Sequence, residues 1–209
     1  MRTVAELIAL LHAPETTDDA VEALSDLGAQ ALEPLVRVML DPSESNRIRE
    51  IAAQSVGRIV PEGVRRLLSI LASTQGNDAD LAAWALRFHH DHAVVEPELF
   101  SMLTSRLEHV RVNAARALRY IHADLKTFDP RLLCAVRDES PSVRSDALRV
   151  LIELADIGLS RYGLDDASIV STSARAVLND PDAAVRRLAR RLLDQLDSLP
   201  TIEHAGGRG

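Results

Sequence analysis

Apolar and small residues return along this chain at intervals of about 30 positions. The stretches "EHVRVNAARALRYI", "PSVRSDALRVLIEL" and "AAVRRLARRLLDQL" align on Ala114, Ala147 and Ala189, and the frame extends back to Ala82, Ala52 and Ala20. The spacings are 32, 30, 32, 33 and 42 residues. Four positions after each alanine stand Leu24, Val56, Leu86, Leu118, Leu151 and Leu193, and seven after it Leu27, Ile59, His89, Ile121, Leu154 and Leu196. Offsets of zero, four and seven share one face of an α-helix, so each copy predicts a helix with an apolar stripe centred on a small residue. The small centre lets a neighbouring helix come close. Only His89 departs from the stripe, and Ala115, beside Ala114, is expected to lie off it.

A shorter helical stretch precedes each copy: "TVAELIALLH", "AQALEPLVRVML", "GVRRLLSILAST", "EPELFSMLTS", "DPRLLCAVRD" and "ASIVSTSARAVLN". Pro97 and Pro130 suit a first helical turn, and Asp129 suits an N-cap. Polar breaks such as "DPSES", "DESPS" and "NDPDA" separate the two helices of a copy. The unit is a helical hairpin of about 30 residues that cannot bury its apolar face alone, so successive hairpins must stack into a solenoid.

The pattern predicts one all-α domain over residues 1–199. Its repeats fall at 1–28, 29–60, 61–93, 94–124, 125–158 and 159–199. Residues 200–209 are expected to be a disordered tail. The long last spacing puts about nine extra residues in "DIGLSRYGLDD", where Gly158 and Gly163 point to a surface loop.

Composition agrees with a helical core. Apolar residues make up 46% of the chain and aromatics only 3%, so Leu, Val, Ile and Ala must build the interior. The formal charge of −7 argues against non-specific nucleic-acid binding by the chain as a whole. The lone Cys134 cannot form an internal disulfide, which fits a reducing compartment. It is expected to be a buried core thiol on the apolar side of "RLLCAV". The N-terminal "MRTVAELIALLHAPE" reads as an amphipathic helix, because Glu6 interrupts its apolar run. No run approaches the roughly 20 apolar residues of a membrane helix, so a cytoplasmic location is expected.

The turns carry a resemblance. Asp138 precedes Arg144 by six residues and Asp180 precedes Arg186 by six, while Ser105 and Arg111 keep the spacing with a weaker acceptor. With "ALEPLVRVML", whose Pro34 sits at a customary kink, these residues resemble the HEAT repeats. The resemblance covers residues of roughly 3–199. It implies a right-handed α-solenoid of about six HEAT-like hairpins with an Asp–Arg ladder between repeats. It weakens at repeat three, where Asp78-Ala79 replaces the Val-Arg pair, and at repeat one, which has Thr16-Thr17 there.

Little in the chain points to catalysis. There is no nucleophile elbow and no Gly-rich phosphate loop, and no catalytic residue or cofactor is expected. His89, His90, His92 and His122 cluster near the ends of two second helices, but no Cys or carboxylate completes a ligand set, so no metal is expected either. Deoxyhypusine hydroxylases resemble the architecture but carry repeated His-Glu pairs, which this chain lacks. Alkylpurine DNA glycosylases of HEAT-like fold would need a basic groove. Bilin lyases of the phycobilisome type remain as an alternative, as does an immunity or antitoxin protein that covers a toxic enzyme.

The remaining candidate is a surface. The resemblance implies that the second helices line the concave side. Two positions after the central alanine then lie Glu22, Gln54, Trp84, Arg116, Arg149 and Arg191. One turn on lie Asp26, Arg58, Phe88, Tyr120, Glu153 and Gln195, and position −1 adds Asp19, Ile51, Leu81, Asn113, Asp146 and Leu188. Trp84, Phe88 and Tyr120 fall together mid-groove, flanked by Arg87, Arg116 and Arg119. Trp, Tyr and Arg are the side chains that most often dominate binding energy. These six residues are the expected contact site for a protein or peptide segment. Charge is also polarised. Residues 1–104 carry eight Arg against sixteen acids, and residues 105–209 sixteen basic against fifteen acidic residues. An acidic end (Asp19, Glu22, Asp26) thus opposes a basic one (Arg149, Arg187, Arg191).

Overall fold

In the computed structural model, which describes residues 2–89, 94–121, 128–159 and 167–198, the helices alternate as first and second members of hairpins. The first members are α1 (Val4–Leu10), α3 (Ala29–Leu40), α5 (Glu62–Ser73), α7 (Glu96–Met102), α9 (Arg131–Ala135) and α11 (Ser168–Arg175). The second members are α2 (Thr17–Asp26), α4 (Asn46–Arg58), α6 (Asn77–Ala85), α8 (Glu108–Ile121), α10 (Pro141–Ile157) and α12 (Ala183–Ser198). Each second helix packs on its own first helix and on the second helix of the next hairpin, in the unbroken series α2, α4, α6, α8, α10, α12. No strand is present among the described residues. Residues 200–209, most of the expected loop (160–166), and His90, His92 and His122 lie outside the described residues.

The ends of the elements follow local chemistry. Thr3 caps α1 by accepting from the Glu6 amide, and Glu6 reaches back to the Thr3 amide at 2.7 Å, a reciprocal capping box. Ser45 caps α4 through the Ile48 amide. Asp129 accepts from the Arg131 amide at 2.8 Å as α9 begins. Pro34 lies inside α3, and Gly158 ends α10 at φ +109°, a left-handed conformation that suits glycine.

All six central alanines are buried, and five of the six residues four positions on are fully so. In α12 the equivalent Leu193 is only partly buried. His89 is 3% exposed, so the stripe position is kept although its residue is polar. Ala115 is as fully buried as Ala114, contrary to the pattern. A second helix touches its first helix and two neighbouring second helices, so its buried arc is wider than one stripe. Cys134 is another correction, since its side chain is exposed. The short α9 buries Leu132, Ala135 and Val136, at three- and four-residue spacing, and Cys134 falls on the opposite side.

The turns form the expected ladder. Arg111 donates twice to Asp138, at 2.6 and 3.0 Å, and Arg144 donates to Asp180 at 2.8 Å. Each arginine also holds its own turn: Arg111 the Ser105 carbonyl, Arg144 those of Asp138 and Glu139, Arg186 those of Asp180 and Pro181. Repeat three still joins, because Asp78 accepts from Arg49 at 2.5 Å. At repeat one, Thr17 accepts from Arg47. Between repeats three and four, Ala79 and Ser105 stand where a rung would be. There Asn113, 4% exposed, donates instead to the Leu71 and Thr74 carbonyls at the end of α5.

Close approach also fixes glycine at two positions: Gly63 of α5, against the Val56 carbonyl oxygen of α4, and Gly57. A Cβ on Gly57 of α4 would lie 2.2 Å from the Ala85 carbonyl oxygen of α6. Gly57→Ala should therefore lower stability by about 1–3 kcal/mol, the usual cost of overpacking, although alanine is the better helix former. Urea denaturation of the variant measures it, and an unchanged midpoint would mean that α4 and α6 do not meet so closely.

Asp180 supplies a pH-dependent test. Burial pushes its carboxyl up, but the Arg144 guanidinium and the Asp182 amide outweigh that, and its pKa lies below the ordinary value. A depressed folded pKa contributes stability present above the unfolded value of about 3.9 and lost as pH falls through the folded one. Asp180→Asn should cost about 1.5–3 kcal/mol at neutral pH, the scale of a hydrogen bond to a charged group. The deficit should shrink in melts taken below pH about 4.

Candidate functional site

The central aromatic residues come from two adjacent second helices. Trp84 lies on α6 and Tyr120 on α8, and both line one open hollow of about 230 Å³ with Glu50, Asn77, Asp80 and Leu81. Trp84 is half-buried, and its ring meets that of Phe88 edge-on at 4.7 Å and 75°. Phe88 and Arg87 follow the end of α6 and do not line the hollow. Arg87 stands over the Phe88 ring at 5.8 Å and Arg119 over Tyr120 at 5.2 Å, each a cation–π contact.

Arg116 and Arg119 are engaged within the chain. Arg116 donates to Asp80 and lies 3.6 Å from Asp146, whose carboxylate is also 3.3 Å from Arg119 and 3.9 Å from Arg149. Burial pushes the Asp146 carboxyl above its ordinary pKa, although Arg119, Arg116 and Arg149 pull it down. For Arg116, burial works against the charge, but the bond to Asp80 more than restores it and the pKa is raised. The arrangement is a bridge of three arginines and two carboxylates across three repeats, with Arg116, Arg119 and Arg149 sharing Asp146.

Position −1, expected to face the groove, is largely turned inward. Leu81, Asn113, Asp146 and Leu188 are all under 9% exposed. The open row is position −2, one turn before position +2 on the same face: Asp18, Glu50, Asp80, Val112, Ser145 and Arg187. The sequence missed Glu50 and Asp80 for that reason, and the i, i+4 relation of Asp80 to Trp84 was the signal that could have found them.

Beyond the aromatic hollow, the same face turns basic. Arg119, Arg149, Ile152, Glu153, Leu188 and Arg191 line a second hollow of about 300 Å³. A third, of about 500 Å³, is lined by Ala183, Asp194 and four arginines of α12: Arg186, Arg187, Arg190 and Arg191. Among the described residues, no group of three or more His, Cys, Asp or Glu could hold a metal ion, and no helix is long and apolar enough to cross a membrane.

No family model and no curated protein matches the chain. Solved structures do. An engineered protein of the Northeast Structural Genomics Consortium aligns over 95% of this chain and 100% of its own, with 21% identity and a TM-score of 0.50. The fold is a HEAT/armadillo-like helical-repeat solenoid. A designed armadillo repeat protein in complex with the peptide (KR)4 aligns over 93% of this solenoid and 99% of its own chain, at 17% identity and a TM-score of 0.48. The complex of CpcE and CpcF of phycocyanin lyase from Nostoc sp. PCC7120 aligns over 92% and 97%, at 20% identity and a TM-score of 0.34.

Trp84 is the only tryptophan of the solenoid, so its emission reports on this site alone. A half-buried indole should be quenched by acrylamide to a degree between that of the unfolded chain and that of a fully buried core tryptophan. Complete protection from the quencher would show the hollow to be closed.

Proposed function

We propose that the solenoid is a non-enzymatic protein-binding scaffold whose docking surface is the face of its second helices. The contact site is centred on Trp84, Arg87, Phe88, Arg116, Arg119 and Tyr120. The observation that carries this reading is the open hollow in which Trp84 and Tyr120, from adjacent repeats, stand beside the carboxylates of Glu50 and Asp80. Half-exposed rings in a shallow recess offer large contact area at low entropic cost, the usual anatomy of a binding hot spot. The second helices pack in unbroken succession, which suits a continuous wall along which a partner segment can lie. Arg116 and Arg119, tied to Asp80 and Asp146, shape that wall and hold its repeats together. A reducing, cytoplasmic setting accords with the exposed thiol of Cys134.

The test is Trp84→Ala. It should weaken partner binding by about 2 kcal/mol or more, some thirtyfold, because truncated hot-spot aromatics lose that much. Its cost to folding should stay well under the roughly 3–5 kcal/mol of a fully buried aromatic. Co-purification of native partners on immobilised wild-type and variant protein reads the first, and chemical denaturation the second. Equal recovery of every partner, or a collapse of the denaturation midpoint, would overturn the reading.

A further inference from the structure

The arginines of this solenoid divide into two populations. Those of the ladder and the bridge have acids: Arg49 with Asp78, Arg111 with Asp138, Arg144 with Asp180, Arg116 with Asp80, Arg119 with Asp146. Arg187, Arg190 and Arg191 of α12 are exposed and form no ion pair among the described residues. They stand three and four residues apart, where like charges on a helix repel and lower its stability. Burial does not require them, and the ladder does not use them.

Their placement separates two explanations. Charges serving only to keep the outer face of a helix in a solenoid polar would point along the stack. Arg191 instead shares a hollow with Arg119 of α8 and Arg149 of α10, so it faces sideways, over the second-helix wall. Arg187 and Arg190 extend the same surface into the adjoining hollow on α12. Within that basic region one row runs from the half-buried Arg116 to the exposed Arg149 and Arg191, and the other ends on the exposed Arg187. Guanidinium groups are forks that bind carboxylates in pairs, and here three successive helices present them in a line.

We propose that this surface, formed by Arg149, Arg187, Arg190 and Arg191 with Arg119 at its inner edge, binds a carboxylate-rich segment of a protein partner. The proposal rests on the scaffold reading and adds the chemistry of the segment: it is acidic where it crosses α10 and α12. Helices in contact lie about 8–10 Å apart, so the path from α8 to α12 is about 16–20 Å. An extended chain covers that in about five or six residues, at about 3.3–3.6 Å each. A protein segment is favoured over nucleic acid by charge. Residues 1–104 are strongly acidic, with eight Arg against sixteen acids, and would repel the phosphates of any longer strand. A short acidic segment avoids that half.

Fluorescence anisotropy with fluorescein-labelled hexaglutamate tests the proposal on the full chain. The probe should bind, and its affinity should fall as salt rises from 20 to 150 mM, because the sites are exposed. Arg187→Glu with Arg191→Glu should weaken it at least tenfold. Arg137→Glu with Arg175→Glu makes the same change in net charge at exposed positions off this surface and should leave it within twofold. Equal losses in the two double variants would reduce the binding to general charge attraction and overturn the proposal. So would tighter binding of a labelled six-nucleotide oligothymidine, which would mark a phosphate-backbone surface. Trp84→Ala separates this from the scaffold reading: hexaglutamate binding should survive it. If hexaglutamate fails while Trp84→Ala still abolishes capture of native partners, the acidic segment is wrong and the scaffold stands.

Discussion

Everything in this molecule depends on how closely successive second helices approach one another. The approach is possible because each presents an alanine at its centre, all of them buried, and α4 adds Gly57 where it meets the last carbonyls of α6. A hairpin of two short helices has too little interior to fold alone. The contact with its neighbour turns six weak units into one continuous core running from Leu7 to Leu196. The Asp–Arg ladder is secondary in this respect. It fixes the turns and the angle between hairpins, through arginines that satisfy carbonyls of their own turn and the acid of the next. In the rungs Arg111–Asp138 and Arg144–Asp180 both side chains are charged and little exposed, and each charge is tolerated there because it meets its opposite.

The ladder is interrupted at the junction that carries the aromatic hollow. Ala79 and Ser105 leave no rung between repeats three and four, and the junction is held instead by Asn113 at the end of α5 and by Arg116 on Asp80. Asp80 is also a wall of the hollow. The same residue thus joins two repeats and shapes the surface between them. A repeat that departs from its pattern in sequence is here the repeat whose surface differs from the others.

The fold was legible in the sequence because its signal is periodic. An alanine every 30-odd residues, with apolar partners at four and seven, admits no other regular element, and stacking follows from the hairpin's inability to bury itself. Rungs were readable for a similar reason, since Asp138 with Arg144 and Asp180 with Arg186 keep a fixed spacing. Rotation about a helix axis was not. A shift of one position, 100° on the helix, separates the buried Asp146 and Asn113 from the exposed row of Glu50 and Asp80. Periodicity fixes which residues share a face but not how wide the buried arc is. Ala115 proved as buried as Ala114, and Cys134 fell outside the arc of a helix only five residues long. The pairing of Arg116 with Asp80 was invisible as well, because it joins residues 36 apart on different helices.

One residue type does three kinds of work here, and position alone assigns them. Arginine three before the central alanine turns toward the hairpin loops, where Arg49, Arg111 and Arg144 become rungs and Arg186 holds the carbonyls of its own turn. Arginine two after it faces the open side, and there its fate depends on the neighbouring repeat. Arg116 finds Asp80 on the helix before it, and Arg149 shares Asp146 with Arg116 and Arg119. Arg191 forms no ion pair among the described residues, and the equivalent position on α10 is Arg149 itself. Arg187, at the position that is Asp80 in repeat three and Ser145 in repeat five, forms none among the described residues either. A wall whose charge is cancelled in its middle and left standing at one end has a direction. Such a surface favours one orientation of a docked segment over its reverse, because electrostatic complementarity fixes register more than it adds affinity. Repetition supplies the wall, and unequal pairing of identical side chains gives it polarity.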